Sequence, residues 1–237
     1  MASKFGILAK FTFLQDIVSL YIARLNPAIT HNIEKYHAIK KAHYLTAIEG
    51  MSGDYLEFGV FTGSSFCHSL RCGESMAYLN DHNSQMRYYG FDSFSGFGDL
   101  AEDDEHPFYT DLNFDTDFDQ VNARIKRTAS GKHFELIPGY FEEVLKDGPD
   151  KYGISEARIV FVDSDTFSSA SCCLDFCGPI IQTGTILILD DFFSYKGNLN
   201  KGVAGAFAKF QDDWNISSRK ILTYGMGGAV FVLARRT

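Results

Sequence analysis

Four short stretches concentrate residues able to do chemistry: Glu57-Phe-Gly59-Val60-Phe61-Thr-Gly63-Ser64-Ser65, Phe91-Asp92-Ser93-Phe-Ser-Gly96, Asp163-Ser-Asp165 and Asp190-Asp191. In the first, Gly59 and Gly63 let the backbone turn tightly and approach a ligand. A helix starting just after them aims its first amides at the same spot. Glu57 stands before that turn, at the end of an apolar run. A buried carboxylate is costly without a partner, which here means a ligand ammonium or a protein Lys or Arg. In the second stretch, Asp92 closes an apolar run and is suited to accept two hydrogen bonds from a ribose diol. The spacing from the glycines to Asp92 exceeds the roughly 20 residues of the dinucleotide fingerprint, and G-x-G-x-x-G is missing. Both facts speak against a nicotinamide enzyme.

Asp163-Ser-Asp165 and Asp190-Asp191 each follow an apolar, β-branched run, so carboxylates from two neighbouring strands are expected to converge at one edge of a sheet. Converging carboxylates repel unless a cation or a proton lies between them. Oxygen-only ligands suit a hard ion such as Mg²⁺. The alternative is structural: Asp190 and Asp191 cap a following helix, and Asp163 accepts backbone amides.

The elements that must position these residues alternate along the chain. An apolar segment from Phe5 to Leu25, interrupted by Lys10, Gln15, Asp16 and Arg24, reads as an amphipathic helix that Pro27 ends. A second helix runs from about Asn32 to Glu49, with Ile33, Tyr36, Ile39 and Tyr44 at helical spacing. From Gly53 onward, short apolar runs beginning at Asp54, Arg87, Phe134, Arg158 and Thr185 alternate with helical segments, and two late strands lie either side of Gly225-Met-Gly-Gly. This pattern predicts an α/β fold: one doubly wound, mostly parallel seven-stranded sheet with helices on both faces and an N-terminal helical extension over 1–52. Ligands of such sheets bind beyond the carboxyl ends of the strands. The acidic, aperiodic segment 98–118 reads as a long loop, a candidate lid. Within it His106 is a candidate base, with a solvated loop histidine as the alternative; His68 reads as packing.

Composition narrows the classes. At 237 residues, with 45% hydrophobic and 22% charged side chains, the chain is long enough to fold without disulfides or a structural metal. The net charge of −8 opposes binding to a phosphate backbone, so no nucleic-acid partner is expected. Five cysteines lack disulfide or metal-site spacing; with no cleavable leader this suggests a cytoplasmic setting. No apolar run is long enough to span a membrane. The apolar first helix is compatible with a homodimer.

The order of these motifs, continued by Gly139-Tyr140-Phe141-Glu-Glu-Val-Leu, Val162-Asp-Ser-Asp-Thr-Phe-Ser-Ser, Asp190-Asp-Phe and Gly202-Val-Ala-Gly-Ala-Phe, resembles the macrocin O-methyltransferase family of class I methyltransferases. The likeness runs from about Gly53 to Phe210. It implies transfer of a methyl group from S-adenosylmethionine, with Mg²⁺, to a hydroxyl of a small-molecule acceptor such as a sugar. It also implies that Glu57, Gly59 and Gly63 hold the methionine end of the cofactor and Asp92 its ribose. Val60, Phe61, Ser64, Ser65, Ser93, Gly139, Tyr140, Phe141 and Asp163 would complete the cofactor site. Asp163, Asp190 and Asp191 would hold the metal, Asp163 also acting as base. Ser64 stands where the family has a second glycine, Phe192 where it has Tyr, and Thr166-Phe167 where it has Leu-Tyr; these differences bear on the acceptor more than on the cofactor. The rival readings are a metal-independent methyltransferase for another acceptor and a non-catalytic cofactor-binding protein of the same fold.

Overall fold

The apolar runs that end in Gly or Asp become the central strands of the sheet. The computed structural model describes residues 10–98, 104–109 and 114–236. Positions 5–9 of the expected first helix, and positions 99–103 and 110–113 of the acidic segment, lie outside the described residues. Two helices come first, α1 (Thr12–Arg24) and α2 (Pro27–Ile48). Pro27 both ends α1 and occupies the first turn of α2, while the Asn26 side chain accepts from the Ala28 amide at 2.9 Å. The second helix therefore begins earlier than its periodicity suggests. There follow β1 (Asp54–Phe58), α3 (Ser64–Ser75), α4 (His82–Gln85), β2 (Tyr88–Asp92), α5 (Phe118–Ala129), β3 (Phe134–Pro138) and the single turn α6 (Phe141–Val144). The chain ends with β4 (Ala157–Val162), α7 (Phe167–Cys177), β5 (Ile181–Leu189), α8 (Gly202–Asp213), β6 (Ile216–Tyr224) and β7 (Gly228–Arg235).

The seven strands form one sheet in the order β3-β2-β1-β4-β5-β7-β6. β1, β2, β3, β4 and β5 pair in parallel, and β7 runs antiparallel to both β5 and β6. The order reverses between β1 and β4, and a cleft opens at such a reversal. Register then sets the level of the site. Phe58 lies opposite Phe91 and Val162, and Val162 lies opposite Leu189. The next residues, Gly59, Asp92, Asp163 and Asp190, therefore leave the sheet side by side.

Successive side chains of a strand point to opposite faces. Leu56 and Phe58 join Val160, Val162 and the buried residues of α7 and α8 on one face. Tyr55, Tyr88, Ile159 and Phe161 pack on the other against Ile39, Phe66 and Ile125 from α2, α3 and α5. All five cysteines are free, and Cys173 and Cys177 are buried in α7 as small apolar side chains. α1 contributes no buried residue, and α2 buries Ala38, Ile39, Ala42, His43 and Lys35 rather than Ile33 and Tyr44. Among the described residues, no helix is long and apolar enough to cross a membrane.

Candidate active site

A cavity of about 540 Å³ opens at the reversal point. Of the residues expected there, Gly59, Phe61, Asp92, Ser93, Gly139, Tyr140, Phe141, Asp163, Asp190 and Asp191 line it. Glu57, Val60, Gly63, Ser64 and Ser65 do not. Val60 is buried in the core, and Gly63 faces Val121 and Ile125 of α5.

Glu57 sits beneath the cavity floor, fully buried. Its partners are hydroxyls: Tyr55 donates to Oε2, and Ser65 donates to Oε1 at 2.6 Å. Burial outweighs these bonds and pushes the carboxyl up to about 7. The carboxylate thus ties β1 to the first turn of α3.

Asp92 joins two loops. Its Oδ2 accepts from the Phe61 amide at 2.7 Å and its Oδ1 from the Phe94 amide at 2.6 Å. Burial raises its pKa against the pull of these amides. Phe61 and Phe94 both have positive φ, so this carboxylate fixes two residues in a sparsely populated conformation. The neighbouring strand end is drawn in by Gly139, whose amide donates to the Asp92 carbonyl at 2.9 Å.

The acidic edge divides into two parts. Asp163, Asp165 and Asp191 can each offer an oxygen within 4.8 Å of the others. Asp165 and Asp191 are held there at φ 62° and 49°. Burial first, then the Asp191 carboxylate, raises the pKa of Asp165. Asp190 is spoken for elsewhere. Its Oδ2 lies 2.5 Å from Lys35 Nζ and 3.2 Å from His31 Nε2. The Met226 amide donates to His31 Nδ1 at 3.2 Å, so Nε2 carries the ring proton and donates to Asp190. Lys35 also donates to Asp163 Oδ2 at 2.9 Å. Although burial disfavours its charge, the facing carboxylates outweigh that and raise the Lys35 pKa above the ordinary lysine value.

Sequence reasoning missed Lys35 and His31, which lie four residues apart on one face of α2. A lysine one turn before Ala38, Ile39 and Ala42, the small residues packed on the sheet, was the available signal.

Aromatic rings wall the opening. Phe97 packs against Phe114 and Tyr109, and Tyr109 stacks on His106 with centroids 4.3 Å apart. The Tyr109 hydroxyl meets Ser194 Oγ at 2.7 Å. His106 does not line the cavity, and His68 stacks on Tyr36 and bonds its carbonyl.

A parallel sheet reversing between β1 and β4, with a glycine turn, a carboxylate on the adjacent strand and an acidic edge, has the architecture of a Rossmann-like class I methyltransferase. The family described as "Methyltransferase domain" matches residues 56–192, more than half of the chain. The chain belongs to that family. It is 22% identical over 178 residues to 8-demethyl-8-(2,3-dimethoxy-alpha-L-rhamnosyl)-tetracenomycin-C 4'-O-methyltransferase of Streptomyces olivaceus. That match covers 70% of this chain and 64% of the relative, so the chain spans less than two thirds of the relative's length. Among solved structures it is similar to the O-methyltransferase NovP, with a TM-score of 0.66 and 18% identity over 85% of this chain and 79% of that one. It is also similar to the calicheamicin methyltransferase CalS11, with a TM-score of 0.63 and 19% identity over 81% of this chain and 76% of that one. At such identities these two likenesses establish the fold alone.

Proposed function

We propose that this methyltransferase acts on a hydroxyl of a sugar or sugar-containing small molecule, as in the macrocin O-methyltransferase resemblance, and that Mg²⁺ assists. The observation that carries the reading is the convergence of Asp163, Asp165 and Asp191 on the wall of the cavity that Asp92 and Gly59 also line. The relatives add support, since their names describe methyl transfer to a rhamnosyl group, O-methylation and calicheamicin methylation.

The residues present fit both groups. Asp92 retains carboxylate lone pairs that would accept from a ribose diol, and the Gly59–Phe61 turn with Gly139, Tyr140 and Phe141 would line the rest of the cofactor. Three carboxylate oxygens are a donor set suited to a hard divalent ion, which when bound would lower the pKa of an alcohol touching it. Asp163 is the residue to receive the acceptor's proton, because it lines the cavity within reach of the other two carboxylates. Phe97, Tyr109 and Phe114 exclude water from the acceptor. Aligning acceptor and cofactor is the main contribution, worth up to about 7–11 kcal/mol when the fit is good.

A methyl-transfer screen on a sugar and phenol library, with labelled cofactor, tests the acceptor class; transfer to phenols alone would refute it. Chelation is expected to abolish turnover and spare cofactor binding. Metal-independent transfer is a second reading, favoured by Lys35, which already sets a cation between Asp163 and Asp190. Full activity in excess EDTA would select it.

A further inference from the structure

Lys35 stands where an ion shared by Asp163 and Asp190 would have to stand. Its ammonium contacts Oδ2 of both residues, 5.5 Å above the Phe161 ring, and only 11% of its side chain is exposed. Asp190 gives one oxygen to the helix and is not among the carboxylates that converge, which are Asp163, Asp165 and Asp191. Oδ2 is shared by Lys35 and His31, and Oδ1 is buried without a hydrogen-bond partner or an exposed surface. Asp163 differs, because it gives Lys35 a single oxygen and lies within reach of Asp165 and Asp191. Lys35 and Asp163 both line the cavity, so the place left for a second cation at this edge is among Asp163, Asp165 and Asp191.

Resting on the metal-assisted reading above, we propose that Lys35 is a built-in cation that withdraws Asp190 from the ligand set, so that a divalent ion is held by Asp163, Asp165 and Asp191. The resemblance implies Asp163, Asp190 and Asp191 instead, so the two ligand sets differ at one residue. Lys35 acts here through its charge: it repels an incoming ion and holds Asp190 Oδ2 for itself.

Mn²⁺ titration by calorimetry, with electron paramagnetic resonance of the bound ion, tests this without turnover. Lys35→Met removes the like charge and frees Asp190, so Mn²⁺ binding tightens by at least about tenfold, while Lys35→Arg stays close to wild type. If Lys35 were a mere structural prop, its loss would weaken binding. Asp165→Asn weakens Mn²⁺ binding by at least about tenfold through loss of a charged ligand. Should Lys35→Met fail to fold, the charge-neutral double variant Lys35→Met with Asp190→Asn decides, and it holds Mn²⁺ within about threefold of wild type. Unchanged or weaker binding in Lys35→Met, unchanged binding in Asp165→Asn, or a larger loss in the double variant overturns the proposal. S-adenosylmethionine titration on the same samples is the separate check, since its failure would undo the methyltransferase site itself rather than the role of Lys35.

Discussion

A Cβ placed on Gly59 would lie 1.9 Å from the backbone oxygen of Asp163. The two strands on either side of the sheet's reversal point thus cross at a glycine, and its φ of 90° adds a second reason for the residue. Gly59→Ala must push β1 from β4 at the floor of the cavity. Overpacking and a left-handed backbone together predict a loss of about 2–4 kcal/mol in urea unfolding, with weakened cofactor binding. A variant with the wild-type midpoint would show that the crossing is looser than described.

Asp92→Ala removes the acceptor of two amides and the residue proposed to hold the ribose. Loss of charge-assisted hydrogen bonds worth about 1.5–3 kcal/mol predicts S-adenosylmethionine binding weakened about 10- to 100-fold by calorimetry. Circular dichroism separates this from unfolding. Unaltered affinity in a folded variant would remove Asp92 from the cofactor site.

Glu57 makes stability depend on pH. Its carboxyl titrates near 4.5 when unfolded and is pushed up to about 7 by burial when folded. The folded chain therefore holds the extra proton across that window, and its stability falls as pH rises from about 4.5 through 7. Such a shift corresponds to about 3 kcal/mol, read as a difference against Glu57→Gln, which cannot titrate. Denaturant midpoints at intervals from pH 5 to 8 measure it. Parallel curves for the two proteins would mean that burial does not raise the carboxyl above its unfolded value.

The sheet and the level of its site were legible because each central strand is an apolar run terminated by Gly or Asp, and equal register does the rest. What each carboxylate touches was not. Glu57 could have been matched with an ammonium, a lysine or an arginine, and the fold supplies two hydroxyls, Tyr55 two residues earlier and Ser65 in the first turn of α3. Asp190 drew its partners from a helix more than 150 positions away in the chain. That helix advertised Ile39, which does face in, but also Ile33 and Tyr44, which face out, while the rest of its inward side includes Ala38, Ala42 and the stem of Lys35. Long apolar side chains mark a helix readily; small ones at a close helix–sheet contact do not.

Asp104 offers the last test, because it anchors the segment carrying His106 and Tyr109 to the body of the protein. Its carboxylate, 2% exposed at the residue level, accepts from the Phe167 amide at 2.8 Å and from the Ser168 hydroxyl at the start of α7. Its backbone carbonyl accepts from the Tyr195 hydroxyl at 2.9 Å. An anion at the first amides of a helix satisfies donors that have no partner within the helix and lies at the positive end of the helix dipole. Asp104→Ala should therefore cost about 0.5–2 kcal/mol, the usual range for a lost helix cap. Its kinetic signature is more telling: with Tyr109 released from its place beside Ser194, KM for the acceptor should rise while S-adenosylmethionine affinity is kept, because the partners of Asp104 are Phe167, Ser168 and Tyr195 rather than Asp92 or the Gly59 turn. Equal losses in cofactor and acceptor binding would mean that Asp104 supports the whole edge of the sheet through α7 rather than the acceptor wall alone.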